Sequence, residues 1–219
     1  IGLSPFTDLY SNVDDGGYAW TNSVDSDNIE YEWVDVSENA ISLSFAQNDQ
    51  STAPLSIGFP FEFYGNTYSE LIVNPNGWIG FGGDNDGWNN QPIFSDESPR
   101  NAIIGFWDDL NPTESEDNDV GEGYVYFDSD SDKCIVWYDN VSHWTSASRT
   151  YDFQIVLYKN GYIKINYRDM GDIDDNGVND LAVGARLDDE GGSSSGAVHI
   201  LFMNSDGSVD STIEINSST

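Results

Sequence analysis

Helical periodicity is almost absent from this chain. Gly, Asn, Asp and Ser interrupt it repeatedly, and between the interruptions lie short stretches rich in Val, Ile, Tyr, Phe and Trp. A period of two suits a pleated strand with one wet and one buried face. "PNG" at 75–77 and "KNG" at 159–161 mark tight hairpins, because Asn-Gly accepts the positive φ of a two-residue turn. "NSDGS" at 204–208 marks a third. The pattern predicts an all-β chain, a jelly-roll-like β-sandwich. Strands are expected over 29–36, 40–46, 54–63, 69–74, 77–82, 101–107, 123–128, 134–141, 150–158, 162–169, 181–185, 196–204 and 211–216. Trp78, Phe81, Trp107, Trp137, Phe153 and Tyr162 fall in these strands and are expected in the core.

Charge narrows the partners. The chain carries 39 acidic residues against 7 Lys plus Arg, a formal net charge of −32. Phosphate binding needs clustered basic side chains, so nucleic acid and anionic membranes are excluded as expected partners. Divalent cations are the natural companions of such a surface, since self-repulsion opposes the compact state until it is neutralised or screened. Cys134 is the single cysteine and reads as a small buried hydrophobe, so no internal disulfide can staple the fold. Calcium is the alternative staple for a secreted chain. No apolar run approaches the roughly 20 residues that span a bilayer. With Ile1 as its first residue, the chain is expected to be a processed or excised piece.

A change of composition near Met170 divides an aromatic-rich body, 1–170, from a Gly, Ser and Asp-rich segment, 171–219. That segment opens with "GDIDDNGVNDLAVGA". Asp172, Asp174 and Asn176 occupy loop positions one, three and five, Gly177 permits the sharp turn, and the Val178 carbonyl and Asp180 complete an oxygen set of calcium-binding type. A helix-loop-helix calcium hand needs Glu at position 12, where this chain has Val183. From Gly171 to about Ile215 the chain resembles one FG-GAP repeat, the blade unit of integrin-type β-propellers. The resemblance implies calcium ligands at Asp172, Asp174, Asn176, Val178 and Asp180, and a blade-like β segment packed on the sandwich or on a neighbouring subunit.

"IGFPFEFYGNTYSELIVNPNGWIGFG", "NAIIGFWDDLNP" and "YDFQIVLYKNGYIKINY", between about Pro54 and Arg168, resemble nidogen-type extracellular domains of secreted and surface proteins. The resemblance implies a cell-surface or secreted location and places Asp108 and Asp109 at a strand end. Neighbours in a strand point to opposite faces, so this pair is a poor acid and base couple for a glycosidase. With Asp84 and Asp86 it forms a candidate second cation site. Trp88, in a Gly, Asn and Asp loop, and Trp144, in "SHWTSAS", are candidate ligand or interface residues. His143 and His199 lack sequence partners for a catalytic or zinc constellation.

The sequence therefore supports a non-enzymatic, calcium-stabilised extracellular module acting in adhesion or self-assembly into a surface fibre, with other copies of itself or further domains as partners. A domain binding carbohydrate or peptide is the alternative.

Overall fold

The computed structural model describes residues 17–19, 23, 31–47, 49–82, 98–112 and 121–171, and the backbone of 181–185, 197–203 and 209–216. No helix occurs among them. After β1 (Ile41–Ser42), the strands β2 (Leu55–Phe63), β3 (Asn66–Asn74), β4 (Trp78–Gly80) and β5 (Ala102–Ile104) form a four-stranded antiparallel sheet in chain order. β6 (Leu110–Asn111), β7 (Tyr124–Ser129), β8 (Lys133–His143), β9 (Ser146–Tyr158) and β10 (Ile163–Asp169) build a second antiparallel sheet. Its order is β1-β7-β8-β9-β10, with β6 beside the last residues of β8. β11 (Leu181–Ala185), β12 (Ala197–Met203) and β13 (Val209–Asn216) form a three-stranded antiparallel ladder.

The two larger sheets face each other as a sandwich, and period two decides which side chains lie between them. In β2, Ile57, Phe59, Phe61 and Phe63 are buried while the residues between them are exposed. They join Val73 and Ile79 in one core with Val125, Val136, Tyr138, Phe153 and Ile155 of the other sheet. Burying each such side chain contributes about 1.5–3 kcal/mol. Tyr138 stacks on Phe153 at 4.5 Å and 6°. Its hydroxyl donates to the carbonyls of Asn74 (2.6 Å) and Trp78 (3.2 Å), so a polar tip deep in the core is satisfied and ties one sheet to the other. Cys134 is buried in this core, and burial pushes its thiol far above the ordinary range.

The turns differ from the sequence reading in an instructive way. Asn74 pairs with Trp78, and Tyr158 N–H donates to Tyr162 O, so Pro75–Gly77 and Lys159–Gly161 are three-residue loops closed by a glycine at positive φ (89° and 88°). The two-residue connections are elsewhere. Tyr64 and Gly65, both at positive φ, join β2 to β3, and Trp144 and Thr145 join β8 to β9. The "NSDGS" loop lies outside the described residues, although β12 and β13 flanking it do pair.

The expected strand at 29–36 is also replaced over its described residues, 31–36. Residues 31–37 make no strand ladder and instead cross the outer face of the second sheet as a strap. Glu32 O accepts from Lys164 Nζ and Asn166 Nδ2 on β10, Val34 binds Gln154 on β9, and Ser37 N–H donates to Asp128 on β7. Under it Ile135, Val156 and Gln154 are fully buried. Of the six aromatics expected in the core, Trp78, Phe81 and Phe153 are there. Trp107 and Trp137 are half-buried, and Tyr162 is 58% exposed.

Candidate functional site

One end of the sandwich gathers polar side chains from four parts of the chain. Its foundation is the β3–β4 loop. Gly77 O accepts from the N–H groups of Gly105 (3.0 Å) and Phe106 (3.1 Å), and a Cβ on Gly77 would overlap the Phe106 carbonyl. Only glycine allows that approach. Asn74 and Asn76 are fully buried. Asn74 Nδ2 donates to Asp49 O (2.9 Å), Asn76 Nδ2 donates to Asp49 Oδ1 (3.1 Å), and Asn76 Oδ1 accepts from Leu110 N–H (2.8 Å). The loop thereby fixes both Asp49 and the start of β6.

Asp108 and Asp109 stand just before β6, in a bend rather than a strand. Asp109 N–H donates to Asp108 Oδ1 (3.0 Å), Leu110 N–H donates to Asp108 O (2.9 Å), and Asp109 O accepts from Trp144 N–H (2.7 Å). The pair therefore lies outside a strand, where the alternation of strand faces does not apply. Asp108 lies 3.7 Å from His143 Nε2. Burial raises the Asp109 carboxyl to about 6, with Asp49 and Asp108 adding to the rise and His143 opposing it. Nearby, Asn111 is 1% exposed, and its side-chain N and O have no partner among the described residues.

Oxygen donors of this kind suit calcium better than a transition metal. Among the described residues, however, no three His, Cys, Asp or Glu side chains are grouped so as to hold a metal ion. His143 Nδ1 accepts from Thr145 N–H (3.0 Å), which turns Nε2 toward Asp108.

A family model described as NIDO related matches residues 23–216. The chain belongs to the NIDO-related family. No curated protein and no solved structure matches it. The NIDO-related match runs through the aromatic body and on through β11, β12 and β13.

Within this NIDO-related domain, Asp108 and Asp109 meet Asp49 and His143, whose involvement the sequence reading missed. Asp49 is remote in sequence, but the buried asparagines of the "NPN" turn are a readable signal that something polar must meet them. Trp144 stands 41% exposed at the tip of the β8–β9 hairpin beside the same corner. Asp84, Asp86, Trp88 and the loop residues Asp172, Asp174, Asn176, Val178 and Asp180 lie outside the described residues.

Proposed function

We propose that this NIDO-related domain is a calcium-stabilised, non-enzymatic module of the cell surface or extracellular space, acting in adhesion or in self-assembly of a surface fibre. The observation that carries the reading is the acidic corner, where the half-buried Asp109 follows Asp108, Asp108 lies 3.7 Å from His143 Nε2, and Asn76 holds the Asp49 carboxylate at 3.1 Å. A corner built this way gains from a cation, because a bound ion removes the carboxylate repulsion and binds only the native arrangement. The loop of Asp172, Asp174, Asn176, Val178 and Asp180 is the primary calcium site in this reading, and its FG-GAP character is part of the proposal. Asp108 and Asp109, with Asp84 and Asp86, are the proposed second cation site. The net charge of −32 fits a calcium-rich exterior, and resemblance to nidogen-type domains supports an extracellular location. Copies of the chain or further domains of a parent surface protein are the proposed partners.

Trp144 favours a second reading, a glycan or peptide ligand, since a large ring at a hairpin tip presents an apolar face to solvent. Analytical ultracentrifugation over a concentration series, with millimolar calcium or with chelator, tests the assembly claim. Higher species that form only with calcium support it. A strict monomer in both conditions rejects self-assembly.

A further inference from the structure

The outer face of the second sheet carries a row of aromatic rings that neither the core nor the acidic corner uses. Tyr124 and Tyr126 are two apart on β7 and share a face. Trp137 of β8 is directly opposite Tyr126. The rings follow one another at 6.1 Å and 5.2 Å, with interplanar angles of 39° and 33°. The three rings form a continuous row, the floor of a ledge, tilted to one another rather than edge-on like Phe63 and Tyr64 at 90°. Trp33 of the strap stands edge-on to Trp137 at 81° and forms a wall. Tyr124 is 38% exposed.

Polar groups border the floor. Arg168 lies 4.2 Å from the Trp33 ring centre and 5.3 Å from that of Trp137. Its Nη2 and Nε reach Asp152 Oδ2 at 2.5 Å and 2.7 Å, and Trp137 Nε1 donates to Asp152 Oδ1 (2.9 Å). The guanidinium is thus neutralised and stacked before any ligand arrives. Asp139 is opposite Tyr124 in the ladder and accepts from Asn140 Nδ2 (2.8 Å). Asn140 itself holds a positive φ of 50° where the β8–β9 register shifts, so the strand bends at the end of the floor.

We propose that this ledge is a binding site for a neutral oligosaccharide. A pyranose presents a C–H face to aromatic rings and hydroxyls at its rim. The ledge offers the complement, the exposed ring of Tyr124 continued by the half-buried rings of Tyr126 and Trp137, with an acceptor in Asp139 and donors in Arg168 and the tyrosine hydroxyls. Charge decides against other glycans: a chain of net charge −32 repels sialylated or sulfated sugars, and its exposed cation here is already paired. The site is independent of the calcium reading, since none of its groups belongs to the calcium loop or to the acidic corner.

The test is titration of the full chain, followed by tryptophan fluorescence and calorimetry, with neutral cello-, xylo-, manno- and chito-oligosaccharides at up to millimolar concentration, in calcium and in chelator. At least one series should bind. Tyr124→Ala should weaken it about tenfold with an unchanged melting temperature, and Tyr162→Ala, at an exposed ring away from the ledge, should leave it unaltered. Tyr124→Phe should retain most of the affinity if the ring face is what binds. Failure of all four series to bind, or binding indifferent to Tyr124→Ala, overturns the proposal. So does a Tyr124→Ala variant that loses only self-association, which would make the ledge a protein interface.

Discussion

The side-chain amide of Gln154 stands in for a strand against the backbone of Val34. Val34 N–H donates to Gln154 Oε1 at 3.2 Å, and Gln154 Nε2 donates to Val34 O at 2.7 Å, the two bonds that a ladder partner would make. Asn166 Nδ2 adds a third contact to Gln154 Oε1 at 3.2 Å. Gln154 is fully buried, so removing it strands donors and acceptors away from water. Gln154→Leu should cost about 2–4 kcal/mol by chemical denaturation. Gln154→Glu should cost at least as much near neutral pH, because it buries a charge and loses the donor to Val34 O. A loss under about 0.5 kcal/mol for both variants would show that the strap is not held through this residue.

Gly77 should be the least replaceable position of the β3–β4 hairpin. Its φ is +89°, and its Cβ position coincides with the Phe106 carbonyl. Gly77→Ala should lower stability by about 2–4 kcal/mol. Gly161→Ala, at a φ of +88° with open space around the Cβ, should cost about 1 kcal/mol for the backbone strain alone. Equal melting temperatures for the two variants would contradict the steric part of the argument.

Asp109 gives a pH signature. Its folded carboxyl titrates at about 6 against an ordinary 3.8, so between those values the native state holds a proton that the unfolded state has released. Stability linked to Asp109 is therefore complete below about pH 4 and declines as pH rises through 6. Asp109→Asn should leave stability unchanged at pH 4 and raise it at pH 7.5 by about 1 kcal/mol, a value reduced for partial solvent exposure. Calcium at millimolar concentration should narrow that difference if the corner takes an ion. An Asp109→Asn effect of the same size at both pH values would contradict the assignment.

Much of the sandwich was readable because apolar parity is local information. Leu55–Phe63 and Lys133–His143 follow the expected runs closely. Trp137 went astray although the parity was there, since Cys134, Val136 and Tyr138 are buried in the core and a residue between them must face outward. The Tyr64–Gly65 turn was invisible because tyrosine rarely takes a φ of 45°. Residues 31–36 alternate like a strand, and what makes them a strap is two side-chain amides, Gln154 and Asn166, supplied from more than a hundred residues away. The acidic corner was half legible for the same reason. Asp108 and Asp109 were visible as a pair, whereas Asp49 and His143 arrive by tertiary folding.

Calcium dependence of the melting temperature tests the central claim most directly. The full chain should melt at a higher temperature in millimolar calcium than in chelator, as mass action requires of an ion that binds only the native state. The rise should shrink in Asp174→Ala, which removes a proposed ligand, and persist in Tyr124→Ala. Identical melting curves with calcium and with chelator would contradict the account.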